Sequence, residues 1–580
     1  MRAILFTFFV IVFATVTAIS LSWPPAAFAF LFLIPLALLG LRNLPGGGVS
    51  VRGIFMVTAS LAITGVVACA AVWPAAAWGA ILVVPIVGLG IADMAQRDSA
   101  VRRNFPVVGN LRFLLESMRP EIQQYYIESD TDGRPFDREQ RSLVYQRAKG
   151  VRDTIPFGTQ GDVYAIGYEW MNHSLSPLPP RFPFPRIMIG GGTCTKPYSS
   201  SLLNISAMSF GALSKNAIAA LNIGAREGGF AHNTGEGAIS DCHLQGGDLI
   251  WQIGTGYFGC RTRDGGFDLA RFRERAADEN VRMIEIKLSQ GAKPGHGGIL
   301  PASKITPEIA RIRDVPLGED VVSPPAHSAF STPTGLLEFV AMLREASGGK
   351  PTGFKLCMGK HREFLAICKA MLESGLHPDF ITIDGGEGGT GAAPVEFSNS
   401  LGRPLTEGLV YAHSALNGIG VRDRVKLLAA GKVANGFGLV RLLALGADAC
   451  YSARAMMMAV GCIQARRCNS NECPVGVATQ DPALTVGLVV HEKAPRVERF
   501  HHATVKAALE LIGAAGLEGP AELRPWHIQR RTEANEIRNY QELYDFLEPG
   551  ELLRDPLPAD YQRAWRSASA DSFAAVPGVS

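Results

Sequence analysis

The chain has 580 residues, of which 47% are hydrophobic and 19% are charged, and its net charge is +3. That length exceeds one hydrophobic core, and the apolar balance is typical of a membrane part joined to a globular part. No basic run with interleaved aromatic residues is present, which excludes nucleic-acid binding as a predicted function. Three of the ten cysteines cluster between residues 462 and 473, a pattern that indicates a cofactor rather than a disulfide scaffold.

Two uncharged stretches come first in the chain, residues 3–41 and 53–92. Each is longer than the roughly 20 residues that span a bilayer as a helix, and each is interrupted near its middle, at Trp23-Pro24 and at Trp73-Pro74. The two stretches also resemble one another at an offset of 50 residues. We therefore predict four transmembrane helices in residues 1–97, arranged as two hairpins. For the first stretch, a cleaved signal peptide is the alternative.

The arginines that flank these stretches predict the orientation. In the four-helix arrangement they all fall on one side of the membrane, and the positive side faces the cytoplasm. These residues are Arg2, Arg42, Arg52, Arg97, Arg102 and Arg103. The sequence therefore predicts a multi-pass membrane protein whose soluble body lies in the cytoplasm.

The soluble body begins with residues 98–180, a polar, turn-rich segment that is predicted to be a connector. In residues 181–485, short β-branched runs then alternate with helix-length stretches, which predicts an α/β domain with a parallel sheet. The predicted strands are Leu202–Met208, Arg282–Leu288, Gly353–Cys357, Phe380–Asp384, Val425–Leu428 and Ala449–Ser452. Residues 486–580 are charged and are predicted to form a mostly helical extension.

Unusual residues lie at the carboxyl ends of these strands, which is where a (β/α)8 TIM barrel builds its site. They are Met208, Ser209, Gly211, Lys287, Lys355, Asp384, Gly385, Gly386 and Ser452. A doubly wound sheet is the alternative fold. It would open its first helix with a Gly-x-Gly-x-x-Gly turn, and no convincing turn of that kind is found.

The loops after the last two predicted strands are candidates for a phosphate site, because that is its usual position in this fold. One loop runs from Gly431 to Gly436, and Arg454 in the other is placed to pair bidentately with a phosphate. The glycine-rich run 384–391 brings further backbone N–H groups to the same face. A flexible surface loop is the alternative for that run, and a surface position is the alternative for Arg454.

Two lysines are candidates for chemistry at the barrel mouth. Lys287 ends a predicted strand, and Lys293 lies in the glycine-rich loop 290–298, where it is placed to meet an anionic substrate. A solvated surface position is the alternative for each lysine alone. Their setting at glycine-rich strand ends favours function.

Cys462, Cys468 and Cys473 are separated by five and then four residues, and Pro474 follows the last of them. Thiolates this close in the chain can share a metal, and a proline in that position recurs in bacterial ferredoxin motifs. Three cysteines without an obvious fourth fit a 3Fe-4S cluster. A zinc ion with a distant fourth ligand and buried free thiols are the alternatives.

Residues 156–483 resemble the FMN-dependent synthase domain of glutamate synthase and its shorter, membrane-anchored relatives. The motifs that carry this resemblance are Ser206–Ser214, Asn233–Gly237, Gly291–Gly295, Asp384–Pro394 and Gly476–Asp481. The resemblance implies an oxidoreductase acting on CH-NH2 donors, with FMN and a 3Fe-4S cluster as its cofactors.

The resemblance also implies roles for individual residues. Contacts with FMN are implied at Met208, Ser209, Gln252, Lys287, Asp384, Gly385, Gly386 and the phosphate loops that contain Gly436, Ser452 and Arg454. The three cysteines hold the cluster, and Glu236, Lys293 and Arg313 surround 2-oxoglutarate. Lys287 beside the N1–C2=O edge of the flavin would stabilise its reduced form. Catalysis is accordingly predicted for Lys287, Lys293 and Glu236.

Three departures from the family pattern bear on the substrate. The glutaminase domain and the C-terminal β-helix of the large enzymes are both expected to be absent. Ile299 stands where the family usually has a glutamine near the keto acid, and His296 stands where it often has a glutamate. Free ammonia is therefore the expected nitrogen donor, and the expected substrate is 2-oxoglutarate or a related keto acid.

The predicted reaction is reductive amination of 2-oxoglutarate or a related keto acid. The electrons would come from a donor that the sequence does not identify: ferredoxin, a quinone or a separate reductase. One alternative is a membrane-linked dehydrogenase that oxidises an amino or hydroxy acid, with a quinone or ferredoxin as acceptor. The other is a non-catalytic electron-transfer protein.

Overall fold

The structure is a computed structural model that describes residues 50–151 and 153–576. The chain divides into two compact units, the first ending at Glu128 and the second beginning at Ser129. The first predicted membrane hairpin, residues 3–41, lies outside the described residues. Residues of the predicted connector, 98–180, belong to both units.

The described part of the first unit is helical. Two stretches are long and apolar enough to cross a membrane, Val51–Val72 and Pro74–Ala95. The break between them falls at Trp73, as predicted, because Pro74 has no N–H with which to continue the first helix. The helices are α1 (Val51–Val72), α2 (Ala80–Ala95), α3 (Ala100–Asn104) and α4 (Val108–Ile122).

The second unit contains the predicted TIM barrel. Its described strands are β1 (Glu169–Met171), β2 (Ile187–Ile189), β3 (Tyr198–Ser200), β4 (Leu203–Ile205), β5 (His232–Asn233), β6 (Leu249–Ile253), β7 (Val281–Lys287), β8 (Ile299–Leu300), β9 (Val321–Val322), β10 (Thr352–Leu356), β11 (Phe380–Asp384), β12 (Lys426–Ala430), β13 (Ala449–Ser452), β14 (Ile528–Glu533) and β15 (Glu536–Asn539). Strands β4 to β7 and β10 to β13 are parallel neighbours and close into a barrel. The predicted fold is confirmed, and β5 and β6 are the two barrel strands that the sequence pattern did not reveal.

Helices cover the outside of the barrel. The α-helices of this unit are α5 (Arg138–Lys149), α6 (Lys215–Gly228), α7 (Leu269–Ala276), α8 (Pro307–Arg313), α9 (Pro333–Ala346), α10 (His361–Ser374), α11 (Val395–Ser400), α12 (Leu405–Gly418), α13 (Gly436–Ala444), α14 (Arg454–Ala459), α15 (Pro482–Thr485), α16 (Val490–Ala514), α17 (Tyr540–Leu543) and α18 (Ala559–Ser567). The long helix α16 packs closely on α6, because a Cβ added at Gly224 would lie 2.6 Å from the Cβ of Val497. After α16, β14 and β15 pair with β1 in a three-stranded antiparallel sheet.

Strand β7 shows how the barrel interior is layered. Side chains of a strand alternate between its two faces, so Met283, Glu285 and Lys287 share the inward face. Met283 belongs to the inner apolar cluster that includes Phe380 and Tyr451. Glu285 lies above that layer, and Lys287 ends the strand at the mouth. Only the last inward position of β7 therefore reaches a ligand at the carboxyl ends of the strands.

Candidate active site

A cavity of about 670 Å³ lies at the carboxyl ends of the barrel strands. Its volume falls within the roughly 300–1,000 Å³ of small-molecule and cofactor sites. The predicted site residues that line it are Met208, Ser209, Glu236, Gln252, Lys287, Lys293, Ile299, Arg313, Lys355, Arg454, Cys462, Cys468 and Cys473. A smaller cavity shares Lys355 and Arg454 with it and adds Asp384 and Ser452. Thirteen of the predicted residues thus meet around one space.

Four predicted glycines line neither of these cavities: Gly211, Gly385, Gly386 and Gly436. Gly436 instead allows close packing, because an added Cβ would lie 2.7 Å from the backbone nitrogen of Ala508 in α16. Gly211 has a φ of +104°, and an added Cβ there would lie 3.0 Å from Nη2 of Arg313. In this geometry these two glycines shape the backbone and the packing around the site.

Glu236 and Lys287 form an ion pair at the wall of the large cavity. The Nζ of Lys287 donates to Oε1 of Glu236 at 2.8 Å and to the side-chain oxygen of Gln290 at 3.2 Å. Burial by itself raises the pKa of the Glu236 carboxyl. The attraction of Lys287, with smaller contributions from Lys293 and Arg313, outweighs burial and lowers that pKa to about 2. Glu236 is therefore ionised at neutral pH.

Lys293 lies on the same cavity and is buried. Its Nζ donates to the carbonyl of Ala392 at 3.0 Å, which leaves other donor positions of the ammonium for a ligand. Burial lowers the pKa of Lys293 to about 8, and repulsion from Lys287 adds to this effect, while Glu236 opposes it. The ammonium is thus mostly protonated at neutral pH and loses its proton in mildly alkaline solution.

Arg313 supplies a further cation at the last residue of α8. Its Nη2 donates to the carbonyl of Phe210 at 2.7 Å, and its guanidinium carbon lies 5.2 Å from the ring centre of Phe258. Its Nε is buried and, among the described residues, has no hydrogen-bond partner. Arg313 also lines the large cavity, so its guanidinium brings a positive charge to that space.

Ile299 contributes an apolar side chain to the cavity, close to the carboxylate of Glu236. A Cβ added at the preceding residue, Gly298, would lie 2.4 Å from Oε1 of Glu236. The carboxylate therefore rests against the backbone immediately before Ile299.

The smaller cavity has the features expected of a phosphate site. It lies where the loops after β12 and β13 meet, and it is lined by residues 430–433 and 451–455. Arg454 is held there by a hydrogen bond from Nη2 to the carbonyl of Glu387 at 2.7 Å and by the ring of Phe136, 5.0 Å from the guanidinium carbon. Lys432 brings a second cation to the lining. The cationic lining and the large adjoining cavity are compatible with the predicted FMN, and a phosphate contact at Arg454 stays a prediction.

The three cysteines lie on the loop between α14 and α15, and all of them line the large cavity. This loop contains three of the nine non-glycine residues with positive φ in the described chain: Gln464, Arg466 and Asn471. Such conformations are uncommon away from functional loops. Burial raises the pKa of the Cys462 thiol to about 12, so a bound metal would be needed to hold it as a thiolate at neutral pH.

A zinc site receives no support from the described residues. They contain no group of three or more His, Cys, Asp and Glu side chains that could hold a metal ion. A cluster of several irons separates its thiolate ligands more widely than a single ion does, because each ligand binds a different iron. The three thiols line one cavity, and a 3Fe-4S cluster held by them stays a prediction.

Lys304 is a residue at this site that the sequence did not reveal. Its side chain is 2% exposed, and Nζ donates to the carbonyls of Cys468 at 2.7 Å, Ala478 at 2.9 Å and Ala212 at 3.2 Å. The lysine thus fixes the cysteine loop to the loop after β4 and places a positive charge beside it. Nothing in the local pattern distinguishes Lys304 from a surface lysine.

The fold and the site define an α/β-barrel enzyme with a ligand cavity at the carboxyl ends of its strands. Residues 190–518 match the family model described as the conserved region in glutamate synthase. The glutamate synthase large subunit-like protein YerD of Bacillus subtilis is 36% identical over 482 residues, which cover 76% of this chain and 91% of that protein. The chain belongs to the glutamate synthase family, and the prediction of an oxidoreductase acting on CH-NH2 donors is confirmed.

Other relatives match over shorter regions. The archaeal glutamate synthase (NADPH) of Methanocaldococcus jannaschii is 34% identical over 326 residues, which cover 55% of this chain and 60% of that protein. Among solved structures, a flavocytochrome b2 variant with benzoylformate covers 78% of this chain and 96% of its own, at 13% identity and a TM-score of 0.39. A TM-score of 0.39 is too low to assign a family, so family membership rests on the sequence matches.

Proposed function

We propose that this chain is a membrane-anchored enzyme that uses FMN and a 3Fe-4S cluster to convert a keto acid and ammonia into an amino acid. The default substrate is 2-oxoglutarate. The observation that carries this proposal is the charged group around one cavity: Glu236, Lys287, Lys293 and Arg313. Three cations and one carboxylate leave two positive charges, which the two carboxylates of a keto diacid would neutralise.

The cations of this group are suited to different tasks. Lys293 and the guanidinium of Arg313 would bind substrate carboxylates, since charge-assisted hydrogen bonds are shorter and stronger than neutral ones. Lys287 is already paired with Glu236 at 2.8 Å, so its role is to keep that carboxylate ionised and oriented. Ile299 offers only apolar contact and would weaken the binding of 2-oxoglutarate without abolishing it.

Glu236 would act on the nitrogen of the reacting group. Ammonia and the keto group condense with loss of water to an imine, which takes up one proton from the solvent to become an iminium, and an ionised carboxylate beside that cation would stabilise it. The amino acid then requires two electrons and one proton at the former keto carbon, and bound FMN supplies them as a hydride. Lys293 and Arg313 are buried and Glu236 is partly buried, and a setting with little exposure to water strengthens each of these electrostatic interactions.

Electrons would reach the flavin site from the cluster on Cys462, Cys468 and Cys473, because the cysteine loop lines the same cavity as Lys287. The donor to the cluster would be a reduced ferredoxin, a quinol or a separate reductase. The name of the archaeal relatives specifies NADPH. For this chain we infer that NADPH would act through a separate reductase, since the sequence shows no convincing dinucleotide-binding turn.

The membrane location rests on the helices of the first unit. Val51–Val72 and Pro74–Ala95 are apolar, and most of their residues are not buried against other described parts of the chain. The flanking arginines favour a cytoplasmic position for the soluble unit. A reporter fused after Ser580 should therefore behave as cytoplasmic, and periplasmic behaviour of that reporter would contradict the orientation.

The reaction is tested with protein purified without oxygen. Flavin and iron are measured first, and glutamate formation is then followed with 2-oxoglutarate, a chemical reductant and either ammonia or glutamine. We expect glutamate from ammonia, at a high KM for 2-oxoglutarate, and no faster reaction with glutamine. Absence of glutamate with both nitrogen sources from a flavin-loaded enzyme would reject the glutamate-forming reaction.

The cluster is tested by Cys468→Ser, which should remove iron and sulfide while FMN stays bound, because the cysteine loop follows the last barrel strand. Cys242→Ser is the matched control, since Cys242 is also partly buried but lies outside the loop. It should leave the iron content unchanged. Equal iron in both variants would show that Cys468 is not a ligand.

A dehydrogenase that oxidises an amino or hydroxy acid is a second candidate function. The apolar side chain of Ile299 in the cavity favours it, because a less polar substrate would lose nothing from the missing hydrogen bond. Reduction of the bound flavin by members of an amino-acid and hydroxy-acid panel, with no glutamate formed in the reverse assay, would support this candidate over the first.

A further inference from the structure

Helix α4, Val108–Ile122, carries an apolar stripe that the described residues leave about half exposed. Leu111, Leu115 and Met118 follow one another at spacings of four and three residues and therefore share one face of the helix. Their side chains are 54%, 53% and 47% exposed. Burial of apolar side chains is favourable, so three of them aligned and exposed on one helix face indicate a partner that covers them.

The start of α4 is fixed to the end of the apolar stretch Pro74–Ala95. Asp93, buried near the end of that stretch, accepts hydrogen bonds at Oδ2 from the backbone N–H of Val107 at 2.9 Å and from the side-chain amide of Asn110. These bonds satisfy polar groups at the N terminus of α4, which has no side-chain cap of its own. The helix therefore begins at the level at which the candidate membrane span ends.

Charged and aromatic residues accompany the apolar stripe. Arg112 and Arg119 are seven residues apart, so they lie together along one edge of the stripe, and both are exposed. Tyr125 and Tyr126 follow the helix and are 54% and 86% exposed. Arginine and tyrosine are the residues that meet the headgroup region of a bilayer. With Arg112, Glu116 and Arg119 in its middle, α4 is too polar to be a further span.

We propose that α4 lies along the cytoplasmic membrane surface, with Leu111, Leu115 and Met118 in the boundary between anionic headgroups and acyl chains. This inference rests on the proposed membrane insertion of residues 51–95. The partner is lipid rather than a second protein surface because the stripe starts at the end of a candidate span and has arginines at its edge. The role of α4 would be to set the depth and orientation at which the chain leaves the bilayer.

The test uses the full chain, reconstituted in vesicles of phosphatidylcholine and phosphatidylglycerol. A fluorescent amino acid replaces Leu115 on the stripe, Ser117 on the opposite face, or Val67 within α1. Lipids with a nitroxide at the headgroup end or deep in the acyl chain serve as quenchers. We expect the shallow quencher to act at least twofold more strongly at position 115 than at 117, and the deep quencher to act at position 67.

The outcomes distinguish the proposed role of α4 from membrane insertion of residues 51–95. Equal quenching at positions 115 and 117, with position 67 quenched by the deep lipid, would overturn the role of α4 and leave membrane insertion intact. No quenching at position 67 would reject the membrane anchor, and the inference with it. The double variant Arg112→Gln and Arg119→Gln should reduce the signal at position 115 in anionic vesicles. A signal unchanged in that variant would overturn the choice of anionic lipid as partner.

Discussion

The interior of the barrel and its mouth each contain a carboxylate, and the two are satisfied in different ways. In the interior, Glu285 accepts hydrogen bonds from Asn233, Gln252 and Thr382, each at 2.7 Å. At the mouth, Glu236 is paired with a cation, Lys287. One carboxylate is enclosed by neutral donors of the protein, while the other belongs to a charged group that lines a cavity.

The different hydrogen-bond partners of Glu285 and Glu236 indicate different roles for the two carboxylates. Glu285 is completely buried and its donors come from three other strands or strand ends, so it ties the barrel together and has little capacity left for a ligand. Glu236 lies beside Lys293 and Arg313, and all three line the large cavity. The same side-chain type is therefore structural one layer below the mouth and available for catalysis at the mouth.

The largest expected effect is that of Glu236→Gln. The substitution keeps the shape of the side chain but removes the charge that faces the reacting nitrogen, so kcat/KM should fall by about 10²–10⁴-fold. Flavin content and the thermal unfolding midpoint should stay close to those of the unsubstituted chain. Turnover within a fewfold of normal would exclude Glu236 from the reaction.

Glu285→Gln should have the opposite signature. The new amide presents two N–H groups to a site that already holds three donors, which should destabilise the fold by about 1–3 kcal/mol. The thermal unfolding midpoint should drop by several degrees, while kcat/KM per folded, flavin-loaded molecule changes by less than a few fold. If instead activity falls and stability is kept, the distinction between the two layers is wrong.

The pKa of Lys293 predicts how activity at the barrel mouth depends on pH. Burial lowers its pKa to about 8, so the ammonium that binds the keto acid is lost as the pH rises through this value. We expect kcat/KM for the keto acid to fall by about tenfold per pH unit above pH 8. Lys293→Arg should abolish the fall, because a guanidinium stays protonated there. The same alkaline fall in both proteins would assign it to another group.

The smallest expected effect is that of Ile299→Gln. A neutral hydrogen bond to the substrate contributes about 0.5–1.5 kcal/mol, so the KM for 2-oxoglutarate should decrease by up to about tenfold. Val322→Gln is the control, because Val322 is the exposed cross-strand partner of Ile299. An unchanged KM in Ile299→Gln would favour a substrate other than 2-oxoglutarate.

The amino-acid sequence by itself determined the class of fold, and it predicted residues that the structure brings together around one cavity. Alternating strand and helix patterns predicted the barrel, and the break at Trp73-Pro74 was read from the missing N–H of proline. Strands β5 and β6 were missed for a local reason. His232–Asn233 is too short to show a period, and Leu249–Ile253 is buried on both faces, so it lacks the alternation that marks a strand.

Only the tertiary structure decided which side chains act on one another. Closure of the barrel brings Lys287 to Glu236 across 51 residues of sequence and Lys304 to Cys468 across 164. It also shows that Gly436 packs against α16 and that Arg313 keeps an unpaired Nε. Local sequence patterns indicate which positions of a strand or helix are buried. Pairing, burial and pKa values depend on groups that meet only after the chain has closed.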